Sequence, residues 1–405
     1  MPAACRLRSL FVALLLLAGC VPAKQTTPTA PPQRTPAPAP SVQPLPPPAP
    51  AGPRQVALLL PLTGPAGTLG RDLLDAASMA LFDEPSGELV LVPRDTGSSA
   101  ETARAAAREV LAQGAELVLG PLFAAATSAV APLARERRVP VLSFSNDSSI
   151  AAPDVFVLGW RPEEQVVAIL RHALDQGWRR LGLLAPDDGY GALVAAAWRS
   201  ELAARGEPAA QAVALYPASG DPAPVVRAFL ERYGGRTASG ADRPPAFDAL
   251  MIADGGLRLR QIAALLAFYD IDPSVTRLLG TRLWADDPAV LRDSALRGGR
   301  LAAPDPAAEA AFRRRFAAVF GREPQRLAEL AYDATRLAAI ATAGGRPLEL
   351  ATLLDPRGFQ GTLGPFRLRA DGLVEHALAI LELDGEGLRV IEPAPTRFPS
   401  PLAAR

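Results

Sequence analysis

The chain has 405 residues, of which 42 are basic and 42 are acidic, so its formal net charge at pH 7 is zero. This balance argues against nucleic acid as a main partner, because binding to phosphates requires a basic excess. Both cysteines, Cys5 and Cys20, lie near the N-terminus, and the only histidines are His172 and His376. We therefore expect no disulfide framework, no metal site built on cysteine or histidine clusters, and no cofactor.

Residues 1–19 form a predicted signal peptide. Arg6 and Arg8 supply its positive charge, and the apolar run that follows is too short to span a bilayer. Small residues then precede Cys20, a pattern that resembles the bacterial lipobox, in which this cysteine is acylated and becomes the mature N-terminus. The pattern predicts a periplasmic protein anchored by lipid, and Val21 after the cysteine favours the outer membrane. A plain secretory signal with an incidental cysteine is the alternative.

Residues 20–53 form a predicted tether that begins with the acylated cysteine. The stretch is dominated by proline and alanine, so it lacks both apolar side chains for a core and many backbone hydrogen-bond donors. We expect an extended conformation, which at this length reaches roughly 100 Å. Such a tether can hold a domain well away from its membrane.

The folded part begins with residues 54–81, which predict a buried strand, a loop rich in proline and glycine, and an apolar helix. The loop after such a strand lies at the edge of the sheet where open α/β folds bind ligands. Strands and helices then alternate, which predicts βαβ units with parallel sheets. The next predicted strands are 88–93, 116–119 and 139–144, and the predicted helices between them are 99–113 and 123–137.

A second group of alternating elements follows a predicted crossing at residues 155–159, and beyond Trp284 the chain is predicted to cross back. Residues 301–304 are predicted to form another crossing or an edge strand, and two helices and a set of antiparallel strands follow them. The predicted strands of the second group are 180–185, 212–216, 247–253 and 277–280, and its predicted helices are 162–176, 193–205, 222–233 and 257–269. The last predicted helices are 306–320 and 327–343, and the last predicted strands are 358–368, 378–383 and 388–391.

This order of elements resembles the type 1 periplasmic-binding-protein fold, the fold of branched-chain amino-acid receptors. The motifs VALLLPLTGPAGTLGRDLLDAASMAL, VPVLSFSND and LLAPDDGYGALVAAAWRSEL carry the resemblance. It implies an α/β domain over 54–395 with two lobes, each a mostly parallel sheet flanked by helices, and a tail over 396–405. We expect the first lobe to contain 54–156 and 285–350, and the second lobe to contain 157–284 and 351–395.

Within this fold the chain looks most like the penicillin-binding-protein activators, which are outer-membrane lipoproteins. The lipobox with its tether, GPLFAAATSAVAPLA, and the tail PRGFQGTLGPFRLRADGLVEHALAILEL carry this second resemblance. It implies a class A penicillin-binding protein, a peptidoglycan synthase, as the partner that the domain binds and activates. The alternative is a lipid-anchored receptor for an amino-acid-like ligand that serves a transporter or sensor.

In amino-acid receptors of this fold, hydroxyl groups and backbone amides after the third and fourth strands hold the ligand carboxylate. Residues 124–126 after the third predicted strand are all alanine, which favours a protein-binding role over amino-acid capture. After the fourth strand, two roles are open for Ser143, Ser145 and Asn146. They are either donors to a ligand, or they cap the next turn and hydrogen-bond the backbone amides at the strand end. Asp254 could meet an ammonium group or cap a helix, and Trp284 could contact a ligand or wedge the lobes. The candidate cleft-lining residues are Thr63, Ser143, Ser145, Asn146, Tyr190, Asp254 and Trp284.

Enzymatic functions find little support in the sequence. The glycine-rich loop at 64–70 lacks the lysine of a P-loop and the spacing of a dinucleotide fingerprint. No nucleophile elbow, zincin helix or kinase motif is present. We therefore predict no catalytic residues and expect a protein that is not an enzyme.

Overall fold

The computed structural model describes residues 53–84, 89–97, 99–207, 212–233, 247–344 and 346–398. The predicted signal peptide, Cys20 and the tether as far as residue 52 lie outside the described residues, as does the tail from residue 399 onward. In the part of the chain that is described, no helix combines the length and the apolar character needed to cross a membrane. The described residues, from Pro53 onward, belong to one compact unit.

A five-stranded parallel sheet with strand order β2-β1-β3-β4-β5 forms the centre of the first lobe. Its first strand is buried from Val56 to Leu60, because helices cover both faces of the sheet. The helix after the second strand begins at Ala100, where the Ser99 hydroxyl caps it by accepting a hydrogen bond from the Thr102 amide at 3.1 Å. The elements are β1 (Arg54–Leu60), α1 (Gly67–Asp83), β2 (Leu89–Asp95), α2 (Ala100–Ala112), β3 (Leu117–Leu119), α3 (Ala124–Glu136), β4 (Val141–Ser143) and β5 (Val155–Val157).

A seven-stranded sheet with strand order β15-β14-β10-β9-β8-β6-β7 forms the centre of the second lobe. Its five strands from the middle of the chain are parallel, β14 is antiparallel to its neighbour β10, and β15 is antiparallel to β14. The first elements of this lobe are α4 (Pro162–Asp175), β6 (Leu181–Asp187), α5 (Gly189–Ala204), β7 (Ala212–Pro217), α6 (Ala223–Tyr233), β8 (Ala249–Ile252) and α7 (Gly256–Phe268). They are followed by β9 (Arg277–Gly280), the 3-10 turn Arg282–Asp286, α8 (Pro288–Leu291) and β10 (Arg300–Ala303).

The chain then returns to the first lobe before it adds two strands to the second. The helix α10 is the centre of this return, since 13 of its 15 residues are buried. It packs against α1 and contributes to the same hydrophobic core as β1 and β3. The returning elements are α9 (Pro306–Phe320), α10 (Ala328–Thr342), α11 (Leu350–Leu353), β11 (Phe359–Gly361), β12 (Gly364–Leu368) and β13 (Val374–His376). The last two strands are β14 (Ala379–Leu383) and β15 (Leu388–Glu392).

The sheets correct the predicted lobe boundaries in two places. The strand β10 is neither a first-lobe element nor an edge strand, because it pairs with β9 on one side and β14 on the other. The three-stranded antiparallel sheet β11-β12-β13 belongs to the first lobe rather than the second, because Phe366, Leu368 and Val374 join the first-lobe core. The three crossings between the lobes therefore lie at 158–161, 304–305 and 377–378.

Candidate functional site

A cavity of about 390 Å³ lies between the two lobes, at the carboxyl ends of their parallel strands. This volume is within the range of about 300–1,000 Å³ typical of small-molecule sites. We call it the interlobe cavity. Its apolar lining residues are Leu69, Leu122, Phe123, Phe144, Gly159, Trp160, Pro162, Leu283 and Leu327. Its polar lining residues are Ser145, Asn146, Gln165, Tyr190, Thr281, Arg282, Asp286 and Arg326.

The first-lobe wall of the cavity offers few hydroxyl groups. Ser143 is fully buried and does not line the cavity, because its Oγ shares a hydrogen bond with Thr127 Oγ1 at 2.8 Å and donates to Pro121 O at 3.1 Å. The same oxygen accepts the Ser145 amide at 3.2 Å. Ser145 and Asn146 line the cavity as predicted. Of the two roles considered for Ser143, the structure therefore supports the second: its hydroxyl makes hydrogen bonds at the end of the strand and is not a ligand donor.

Thr63 also lies outside the interlobe cavity. Its Oγ1 donates to Asp95 Oδ2 at 2.6 Å, and Asp95 Oδ1 accepts the amides of Leu62 at 2.8 Å and Gly97 at 2.7 Å. Burial alone would raise the pKa of the Asp95 carboxyl, but these hydrogen bonds hold the pKa below its ordinary value. Thr63 thus fixes the loop after β1 to the end of β2.

On the second-lobe wall, the predictions for Tyr190 and Asp254 have different outcomes. Tyr190 lines the cavity, and its hydroxyl shares a hydrogen bond with Thr281 Oγ1 at 2.8 Å. Burial raises the pKa of Tyr190 above its ordinary value, so this phenol stays neutral. Asp254 lies off the cavity lining, where it accepts from the Tyr216 hydroxyl at 2.8 Å and lies 3.6 Å from Arg258.

The prediction that Trp284 lines the cleft is wrong. Its indole is 0 % exposed, and its Nε1 donates to Ile252 O at 3.1 Å inside the second lobe. Gly280 and Gly299 have no side chains, which leaves the room that the indole occupies. Trp284 is therefore a core residue, neither a ligand contact nor a wedge between the lobes.

The aromatic residue that does face the cavity is Trp160, in the first crossing. Its Nε1 donates to Glu329 of α10 at 3.1 Å, and the Arg282 guanidinium lies 5.3 Å from the centre of its ring. The His376 ring at the end of β13 lies 4.2 Å from it, and His376 Nδ1 is 3.0 Å from Glu164 Oε1. The indole ring in the first crossing thus contacts both lobes.

An ion pair between Arg326 and Asp286 joins the two lobes at the mouth of the cavity. Arg326 follows a loop that Asp72 of α1 holds in place. Asp72 is buried, pairs with Arg322 and accepts the Gln325 amide at 2.7 Å. The loop presents Arg326 from a fixed position, and Asp286 meets it from the 3-10 turn of the second lobe.

Sequence reasoning missed most of the charged groups of the site. Asp286 precedes Asp287, which caps α8 because its Oδ1 accepts the Ala289 amide at 2.8 Å. Arg282 and Arg326 carry no local pattern that marks them, because their roles depend on partners across the lobes. Trp160 carried a usable signal, since it directly follows the predicted crossing at residues 155–159.

Replacing Asp286 by asparagine is expected to open the lobes with little effect on stability. The pair is partly exposed, so its loss should lower the free energy of unfolding by less than about 1 kcal/mol. The removed contact spans the cavity mouth, so the radius of gyration measured by small-angle X-ray scattering should rise. Glu109→Gln is the matched control, because it breaks the Arg94–Glu109 pair inside the first lobe. Equal radii for the two variants would contradict the bridging role.

Two α/β lobes that enclose one cavity at the ends of their strands define the class of proteins that bind a ligand in the cleft between two lobes. The chain belongs to the periplasmic binding protein family, whose model matches residues 53–387. This membership confirms the predicted two-lobed type 1 fold and implies a periplasmic location. A solved structure described as a branched-chain amino acid ABC transporter from Rhodospirillum rubrum is 19% identical, with a TM-score of 0.71, and covers 84% of this chain and 100% of its own.

A second solved structure, a solute binding protein from Rhodopseudomonas palustris HaA2 in complex with p-hydroxybenzoic acid, is 18% identical with a TM-score of 0.59. It covers 87% of this chain and 99% of its own. The curated relatives match shorter stretches. The uncharacterized protein RP748 of Rickettsia prowazekii is 27% identical over 29% of this chain and 32% of its own length. Penicillin-binding protein activator LpoA of Vibrio cholerae is 25% identical over 37% of this chain and 25% of its own length.

Proposed function

We propose that this protein is a periplasmic regulator that binds a class A penicillin-binding protein and raises its peptidoglycan synthase activity by contact. Acyl chains on Cys20 would hold it at the outer membrane, and the tether over 20–53 would give the domain its reach. The similarity to activator LpoA over 152 residues supports this choice of partner. The chain performs no chemical step of its own in this proposal, so it is not an enzyme.

The observation that carries the proposal is the internal pairing of charges around the interlobe cavity. Arg326 binds Asp286, and Arg282 lies 3.4 Å from Glu309. The carboxylate and ammonium groups of an amino acid would have to break these pairs in order to bind there. Contacts of the chain itself join the lobes, and a surface of fixed shape suits recognition by a protein partner.

Adding the purified protein to a class A synthase should raise the rates of glycan polymerisation and crosslinking. The measurement follows lipid II consumption and crosslinked products with and without the protein. A branched-chain amino-acid receptor of the same fold, at equal concentration, serves as the control. Equal rates with the two proteins, together with no detectable complex between protein and synthase, would exclude the proposal.

A second candidate function is a small-ligand receptor that serves a transporter or sensor. The interlobe cavity favours it, because its volume of about 390 Å³ suits a small molecule. The solved relative from Rhodopseudomonas palustris HaA2 holds an aromatic acid. A ligand that binds only the folded chain would raise its melting temperature.

A further inference from the structure

We propose that the interlobe cavity takes a small ligand with an apolar body about the size of one ring and a single uncharged hydrogen-bonding group. Free amino acids are excluded as preferred ligands. The inference rests on the second candidate function and specifies its ligand class. It stands on three features of the cavity wall: its apolar surface, its paired charges and its unused uncharged groups.

The apolar surface comes from both lobes and from the first crossing. Phe144 and Leu122 supply buried surface at the ends of β4 and β3, and Phe123 is 44% exposed beside them. Trp160 and Leu283 face them from the crossing and the second lobe. Burying an apolar group against such a wall contributes roughly 25 cal/mol for each Å² removed from water. The ligand body that this wall favours is therefore apolar and flat enough to contact aromatic rings.

The charged groups of the wall all have partners within the protein. Among the described residues that line the cavity, the only charged side chains are Arg282, Arg326 and Asp286. Arg326 pairs with Asp286, and Arg282 pairs with Glu309 while contacting the Trp160 ring. A zwitterion needs one unpaired cation and one unpaired carboxylate in the same site. Taking Glu309 from Arg282 would leave a buried guanidinium without its partner, which is costly, and a ligand charge at Arg326 or Asp286 would have to compete with the existing pair.

The Ser143 hydroxyl, which could hold a ligand carboxylate in place of a cation, is also occupied by hydrogen bonds within the protein. Ser143 Oγ makes its hydrogen bonds to Thr127 and to Pro121 O beneath the cavity wall. The first turn of α3 presents alanine side chains at 124–126, and the exposed Phe123 precedes them. Among the described residues of the first-lobe wall, the uncharged side chains with a donor that line the cavity are therefore limited to Ser145 and Asn146.

Uncharged polar groups remain available on the wall. Gln165 accepts the Arg282 amide at 2.8 Å and donates one N–H to Arg161 O at 3.2 Å, which leaves its second N–H. The Asn146 side chain is exposed and, within the described part of the chain, makes no hydrogen bond of its own. An amide or hydroxyl on the ligand can pair with these two side chains without disturbing any ion pair.

Three compounds that share one phenyl ring and chain length test the ligand class: 3-phenylpropanamide, 3-phenylpropanoate and L-phenylalanine. Trp160 is the one tryptophan of four that lines the cavity, so quenching of its fluorescence in the full-length protein reports occupancy. The amide should bind at least about tenfold more tightly than L-phenylalanine, with the propanoate between them. Tighter binding of L-phenylalanine would overturn the ligand class but leave the receptor function standing. If none of the three compounds quenches the fluorescence in a saturable way, the ligand class is overturned. A rise in the protein's melting temperature with an unrelated solute would then still support the receptor function.

Two variants locate the ligand. Trp160→Phe keeps a ring in the wall, so the amide should still raise the melting temperature while the quenching disappears. Asn146→Ala removes an exposed amide and should weaken the binding of 3-phenylpropanamide by roughly fivefold, the value of one hydrogen bond. Full quenching in Trp160→Phe, or unchanged affinity in Asn146→Ala, would overturn the assignment to this wall.

Discussion

Replacing Trp284 by alanine is expected to lower the free energy of unfolding by about 3–5 kcal/mol. The indole is 0 % exposed, so the variant leaves a large cavity in the core of the second lobe. It also removes the donor to Ile252 O, which accepts a hydrogen bond from Nε1 at 3.1 Å. The tight fit is visible at Gly280, where an added Cβ would lie 2.2 Å from the indole.

Urea denaturation followed by circular dichroism measures the loss. Leu283→Ala is the matched control, because its side chain is adjacent in sequence but 37% exposed, and its loss should cost under about 1 kcal/mol. A Trp284→Ala variant as stable as Leu283→Ala would mean that the indole is not a core residue. Ligand affinity should stay nearly unchanged in any Trp284 variant that folds, because the residue lies outside the interlobe cavity.

Replacing Asp333 by asparagine is expected to make the protein more stable at pH 8 and to change little at pH 4. Burial raises the pKa of Asp333 to about 7, despite hydrogen bonds from Thr362 N at 2.8 Å and Thr362 Oγ1 at 3.1 Å. The folded protein therefore keeps this proton up to about pH 7, whereas the unfolded chain releases it near pH 4. The free energy of unfolding therefore falls by about 4 kcal/mol in total as the pH rises from 4 to 7.

Asparagine cannot ionise, and its side-chain oxygen can still accept the Thr362 amide. Melting temperatures of both proteins at pH 4 and pH 8 give the comparison. Asp355→Asn is a control of opposite sign, because the hydrogen bond from Arg357 lowers the pKa of that partly exposed carboxyl. Removing Asp355 should cost a little stability above its pKa and nothing below it. An Asp333→Asn variant that gains nothing at pH 8 would contradict the buried, protonated state.

Local patterns in the sequence predicted most of the fold. The buried run from Val56 to Leu60 and the alternation that follows it identify β1 and the parallel sheets, because their signal comes from neighbouring residues. The antiparallel strands at the end of the chain are predicted for the same reason. Ser145, Asn146 and Tyr190 could be placed on the cavity because they follow strands whose ends meet there.

The remaining features depend on contacts between residues far apart in sequence. The local sequence marks Ser143 and Thr63 as site residues. In the structure, however, the Ser143 hydroxyl is hydrogen-bonded to Thr127 and the Thr63 hydroxyl to Asp95, so neither faces the cavity. The place of β10 depends on β14, which comes much later in the chain. Arg326 gains its role only from Asp286 in the other lobe. Such partners leave no trace in a single local pattern.

The return of the chain to each lobe has a consequence for how the protein is made and exported. The first-lobe core needs α10 and β12 as well as β1 to β5, and the sheet of the second lobe needs β14. A chain that has emerged only as far as Ala303 therefore holds two unfinished cores, with apolar faces still uncovered. We expect both lobes to complete folding nearly together, after the last strands arrive, and a chain crossing the membrane to remain unfolded until then.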